Sequence, residues 1–113
     1  MLNVNYRGST GLGKRFTNAG SLEWGRKMHD DLIDAVSGAV GEGIADPDRV
    51  AIMGGSYGGY AVLAGLTFTP DTFACGVDLV GPSNLITMVE SVPPYWKPEI
   101  EVDTTRVGDS RTE

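Results

Sequence analysis

The 113 residues suit one small domain, and a chain of this size buries roughly 65% of its unfolded surface. Apolar residues make up 41% and charged residues 21%, the balance of a globular chain rather than a disordered one. The net charge of −6 with scattered Lys and Arg argues against non-specific nucleic-acid binding, which needs clustered cations.

Residues 2–6 read as a short strand, followed by a loop from Arg7 to about Gly20 rich in Gly, Ser, Thr and Asn. The opening Met1-Leu2-Asn3-Val4-Asn5-Tyr6 has no basic stretch and no long apolar stretch, so it does not read as a signal peptide. No run of about 18 apolar residues occurs, so no membrane segment is expected. These features suggest a soluble chain and leave the compartment open, with a lean toward the cytoplasm.

A helix is predicted from about Leu22 to Val40. Trp24, Met28, Leu32, Val36 and Val40 recur every four residues, with Ile33, Ala35 and Ala39 beside them. Its charged residues, Glu23 to Asp34, mostly lie off that face and read as a solvated surface. His29 sits next to the apolar face as a helix-surface or boundary residue. Gly41, Gly43 and Pro47 then turn the chain.

Arg49 to Gly54 is a near-continuous apolar run, as expected for a strand covered on both faces. A second helix should start just after Ser56 and run to about Phe68, stopped by Pro70-Asp71. Phe73 to Val80 reads as a third buried strand, and within it Cys75 reads as a small buried residue. With one cysteine no intrachain disulfide can form. Ser83 or Asn84 is placed to cap a short helix over Leu85, Ile86, Met88 and Val89. From Ser91 the sequence is loop-like, and Glu101 to Glu113 is polar without periodicity. The alternation of strand and helix predicts an α/β fold, a parallel sheet with crossover helices on both faces.

Gly54-Gly55-Ser56-Tyr57-Gly58 falls where the strand gives way to the helix. A nucleophilic serine must stand clear of the sheet for a carbonyl carbon to reach it. A tight strand-to-helix turn in strained backbone geometry achieves this. Such a turn brings the backbones two residues before and after the serine together, so Gly54 and Gly58 are both expected to be required as glycine. Gly55 and Gly59 relax the crowding further. The backbone N–H of Tyr57, at the start of the helix, would donate to an oxyanion. Ser56 is therefore the candidate nucleophile.

Gly54-Gly55-Ser56-Tyr57-Gly58-Gly59-Tyr60 resembles the serine motif of the prolyl oligopeptidase family of serine peptidases. Asn5-Tyr6-Arg7-Gly8-Ser9-Thr10-Gly11 resembles that family's strand and loop upstream of the elbow. Glu23-Trp24-Gly25 and Asp30-Asp31 resemble its next helix, and Asp46-Pro47-Asp48-Arg49-Val50 its lead into the nucleophile strand. The likeness runs from about residue 2 to residue 98. Leu12 departs from it, standing where an aromatic residue, usually Tyr, is expected.

The resemblance implies a peptidase with an α/β-hydrolase catalytic domain, a peptide substrate, no metal or organic cofactor, and usually an N-terminal β-propeller. It also implies that the Tyr57 side chain borders the pocket for the residue before the scissile bond, together with residues near 80 to 89.

A serine hydrolase of this fold orders its triad Ser, Asp or Glu, then His. His29 is the one histidine and precedes Ser56, while Asp78, Asp103 and Asp109 follow it with no histidine to orient. The second oxyanion donor would come from an earlier loop. A chain of 200–250 residues is ordinary for one α/β domain. The expectation is thus that residues 1–113 are part of one catalytic domain, truncated at both ends, inactive alone and completed by the rest of the parent chain.

Two other readings compete, a different hydrolase and a nucleotide-binding protein. An esterase or acyl hydrolase can use the same elbow. Gly8-Ser9-Thr10-Gly11-Leu12-Gly13-Lys14 fits most of a phosphate-binding loop, but Arg15 follows where Ser or Thr should hold Mg²⁺. A third reading is a truncated, non-catalytic product.

Overall fold

A computed structural model describes residues 1–96, 102 and 105–107. In chain order it contains α1 (Lys14–Asn18), α2 (Lys27–Gly41), β1 (Ala51–Gly55), α3 (Tyr57–Phe68), β2 (Cys75–Leu79) and α4 (Leu85–Glu90), with a 3₁₀ turn at Pro94–Trp96. β1 and β2 are parallel, in register from Ala51 opposite Cys75 to Gly55 opposite Leu79. α3 is the crossover between them, which gives the β-α-β unit expected of an α/β fold.

α3 lies close on the sheet because its inward residues are small. Gly59, Ala61, Val62, Ala64 and Gly65 are buried, and Val62 has no exposed surface. The strand below leaves matching room. A Cβ at Gly76 would sit 2.8 Å from Val62 Cγ1 and 2.9 Å from Leu66 Cδ1. Thr69 leaves helical geometry (φ −129°, ψ 59°), consistent with Pro70 disfavouring the helical region for the residue before it. Asn84 caps α4 by accepting from the Thr87 N–H at 3.0 Å, so of the two candidate caps Asn84 serves.

Several expectations are corrected. Residues 2–6 are not a strand. No strand lies alongside them among the described residues, and the Tyr6 carbonyl accepts from the N–H and the hydroxyl of Ser9 instead. The loop after Arg7 contains α1. α2 starts at Lys27 rather than Leu22, because Leu22 (φ 60°) and Gly25 (φ 71°) both adopt left-handed geometry. This removes Trp24 from the helix and frees its ring to pack elsewhere. Within α2 the predicted stripe holds: Met28 is buried, while Leu32, Val36 and Val40 are half-buried.

His29 is buried rather than at the surface, because it faces α3 beside Phe68. The strands are one-sided. Ile52, Gly54 and Gly76 turn toward α3, but Met53, Val77 and Leu79 stand open on the other face at 57%, 49% and 56% exposure, and Cys75 is exposed beside them. Among the described residues α3 covers one face of the sheet and α2 packs on α3.

Candidate active site

Ser56 sits between the last residue of β1 and the first residue of α3, with φ 54° and ψ −116°. A non-glycine residue adopts that backbone only when its surroundings impose it. Two hydrogen bonds do so. The Ser56 N–H donates to the Leu79 carbonyl at 3.0 Å, and its own carbonyl accepts from the Tyr60 N–H at 3.1 Å. The side chain makes no capping bond to α3, and the residue is exposed. The hydroxyl is thus presented to solvent at the end of the sheet.

The glycines around it are not equivalent. A Cβ on Gly54 would overlap the backbone of Gly58, so glycine is required there. A Cβ on Gly58 would meet nothing within 4 Å among the described residues, which corrects the expectation that both ends of the elbow need glycine. The approach is one-directional: the Cβ direction of Gly54 points at the helix, while that of Gly58 points away from the strand. At Gly55 a Cβ would make ordinary contact with Leu79, 3.7 and 3.8 Å away. At Gly59 it would overlap the Asp78 carboxylate and crowd the Gly81 backbone, so this glycine serves the approach of another segment.

Tyr57 opens α3, and its N–H is one of those a helix leaves without an intrahelical partner. Its ring packs among other aromatic rings. It meets Trp24 edge-on at 4.5 Å, Tyr6 at 5.1 Å and Tyr60 at 6.0 Å between ring centroids. Burial, reinforced by Tyr6, Tyr60 and Asp31, pushes the Tyr57 phenol well above the ordinary tyrosine range, so it stays protonated and supplies no base. Burial raises Tyr6 and Tyr60 as well.

The rings of Tyr6, Trp24 and Tyr57 line a cleft of about 170 Å³ with Met28, Gly20 and Arg106. A separate hollow of about 320 Å³ is formed by Gly81, Pro82, Ser83, Asn84, Thr87, Met88 and Ser91. Among the described residues, the Tyr57 ring and the segment near 80–89 thus line two different hollows.

The loop bearing Tyr6 is tied to α2 by a clamp the sequence does not reveal. Asp31 accepts from the Arg7 backbone N–H at 2.9 Å and from Nε and Nη2 at 2.8 Å each. The guanidinium holds the Asp31 carboxyl below its usual range, and the carboxylate in turn raises Arg7. Opposite charges 24 residues apart carry no periodic signal, so only the fold pairs them.

His29 lies away from Ser56. Its Nε2 is 3.2 Å from Thr69 Oγ1, and Thr69 already donates its hydroxyl proton to the Gly65 carbonyl at 2.9 Å. The neutral imidazole therefore donates from Nε2, which leaves the buried Nδ1 an acceptor with no partner among the described residues. Burial lowers the His29 pKa, partly offset by Asp30. Ser56 and Thr69 flank opposite ends of the 12-residue α3, about 20 Å apart at a rise of about 1.5 Å per residue. His29 is a packing residue that cannot reach Ser56.

Of the later aspartates, Asp78 accepts from the Gly81 N–H at 2.9 Å. Asp103 and Asp109 lie outside the described residues.

The Gly8–Lys14 segment does not form a phosphate loop. The Gly8 N–H donates inward to the Phe16 carbonyl, and the following α1 has only five residues. No described helix is long and apolar enough to cross a membrane.

The sequence profile of the Prolyl oligopeptidase family matches residues 1–106. The chain is 66% identical over all 113 residues to dipeptidyl aminopeptidase BIII of Pseudoxanthomonas mexicana, and spans 16% of that protein. It is 69% identical over 96 residues, 85% of its length, to dipeptidyl peptidase family member 6 of Caenorhabditis elegans, and this match spans 13% of that protein. Among solved structures, a puromycin-hydrolyzing peptidase of Mycobacterium tuberculosis superposes with a TM-score of 0.85 at 35% identity, over 96% of this chain and 16% of that one. An acylaminoacyl peptidase of Pyrococcus horikoshii gives 0.80 at 28% identity, over 96% of this chain and 17% of its own. These solved structures are α/β-hydrolase peptidases, and residues 1–113 correspond to about a sixth of each.

Proposed function

The chain belongs to the prolyl oligopeptidase family, and on that premise we propose that the whole protein is a serine peptidase in which Ser56 is the nucleophile. The observation that carries this reading is the strained, exposed Ser56 between β1 and α3, held by backbone hydrogen bonds on both sides. Its Oγ attacks the scissile carbonyl carbon, and the carbonyl oxygen becomes an oxyanion. The Tyr57 N–H donates to that oxyanion at the positive end of α3. One such donor contributes about 3 kcal/mol to transition-state stabilisation. Collapse expels the amine and leaves an acyl-enzyme on Ser56, which water then hydrolyses.

The histidine base, its orienting carboxylate and a second oxyanion donor belong, in this reading, to parts of the protein outside residues 1–113. So does an N-terminal β-propeller. No step requires a cofactor. These residues alone would then be inactive, because nothing activates Ser56.

The two relatives named as dipeptidyl peptidases favour release of dipeptides from a free N-terminus. The test uses the full-length protein on a free-amino dipeptidyl anilide, an N-acylated anilide and p-nitrophenyl acetate. The expected result is preferred cleavage of the dipeptidyl anilide, with kcat at least about a thousandfold lower in Ser56→Ala. Hydrolysis of the ester alone would assign an esterase. Undiminished activity in Ser56→Ala would remove Ser56 from the reaction.

A further inference from the structure

We propose that Asp78 is a positioning residue for the nucleophile. By holding the Gly81 N–H it fixes the turn after β2 against the start of α3, and that turn holds Ser56 in its strained conformation. This rests on the reading of Ser56 as the nucleophile.

Asp78 lies opposite Gly54 in the ladder, on the strand face that looks toward α3. Its Oδ1 accepts from the Gly81 N–H at 2.9 Å. The same oxygen lies where a Cβ on Gly59 would be, and the Gly81 backbone fills the rest of that space. A Cβ on Gly81 would in turn overlap Gly59 and fall 2.6 Å from the Tyr60 nitrogen. The carboxylate, on an exposed residue, therefore lies where the β2–α4 turn meets the first turn of α3, the end of a helix that favours negative charge.

Between Leu79 and Gly81 the chain passes through Val80 at φ 54°, an outlier for a β-branched residue, with the side chain 90% exposed. Nothing that the Val80 side chain touches among the described residues accounts for that conformation. The bond from Gly81 to Asp78 closes the turn around it. The turn's other end is the Leu79 carbonyl, which accepts from the Ser56 N–H at 3.0 Å. The connection from Asp78 to Ser56 is thus one side-chain hydrogen bond, a three-residue turn and one backbone hydrogen bond. Asp78 touches no reacting atom in this arrangement, and it acts through the backbone of Ser56.

The experiment compares Asp78→Ala and Asp78→Asn in the full-length protein, with active sites counted by titration so that kcat refers to folded enzyme. Asparagine keeps an acceptor for the Gly81 N–H. Asp78→Ala is expected to lower kcat and the rate of fluorophosphonate labelling by about 10- to 100-fold, with KM within about twofold, as misplacement of a reacting group does. Asp78→Asn is expected to restore both to within about threefold of wild type.

A wild-type kcat per active site in Asp78→Ala would overturn the proposal, as would Asp78→Asn no better than Asp78→Ala. If Asp78→Ala does not fold, Asp78→Leu, which keeps a branched side chain of similar size but offers no acceptor to Gly81, takes its place with the same expected loss. Ser56→Ala separates the two readings. If it still labels and turns over, the nucleophile assignment fails. If it is inactive while Asp78→Ala is normal, only the role of Asp78 fails.

Discussion

Ser56 and Val80 share the same left-handed φ of 54° on adjoining turns. Strain of this kind persists only where surrounding structure over-determines it, and it concentrates at functional sites. The elbow glycines give the sharpest residue-scale test. Gly54→Ala forces a methyl into the Gly58 backbone and is expected to cost about 1–3 kcal/mol, with loss of activity. Gly58→Ala meets open space within α3. It is expected to be neutral or to stabilise by about 0.5–1 kcal/mol, since alanine is the better helix residue. Denaturant titration of the two variants checks both; equal damage from each would refute the asymmetry. The sequence pattern marks Ser56 and the need for glycine at 54. It does not reveal which glycine faces which backbone, because that depends on the direction of each Cα–Cβ bond.

At the level of elements, α3 was legible almost to the residue, since Ser56 starts it and Pro70 forces Thr69 out of helical geometry. The start of α2 was not, because Trp24 fits the helical stripe by spacing while Gly25 takes the chain out of the helix. Residues 2–6 have a strand's composition but no neighbour to pair with among the described residues. Composition cannot supply a ladder partner.

His29 illustrates the same limit, since its burial comes from α3 lying across α2. That burial has a pH consequence. The folded pKa of His29 is depressed below an unfolded value near 6.5. Between those two values the unfolded chain binds more protons, so stability should fall as pH drops through about 6.5 toward the folded pKa. His29→Gln keeps a donor for Thr69 without titrating. Thermal unfolding from pH 7.5 to 5 should show a shallower acid-side decline in this variant than in wild type, and parallel curves would contradict the assignment. Asp31 works in the same direction at lower pH. Its carboxyl is depressed by Arg7, so the stabilisation from the clamp is present above the ordinary Asp pKa and is lost as pH falls through the folded value.

For the whole molecule, the open sheet face is the main departure from the expected fold. Met53, Val77 and Leu79 form one apolar strip, and Cys75 lies in line with them. Alternation along β1 and β2 shows which residues share that face but not what covers it. The matched relatives are about six times longer than these residues. In the full-length protein the strip is expected to be packed over. Cys75 should then resist an aromatic disulfide reagent in the native state and react on unfolding, as judged by mass mapping of the modified peptide. Native-state modification at the rate of a free exposed thiol would show that the face stays open.

The claim on which the rest depends is that Ser56 is the nucleophile. Its most direct test is treatment of the full-length protein with a fluorophosphonate, followed by mapping of the modified residue. The account predicts one equivalent of label on Ser56, none in Ser56→Ala, and none on the 113 residues alone. Label on another serine, or undiminished labelling of Ser56→Ala, would contradict it.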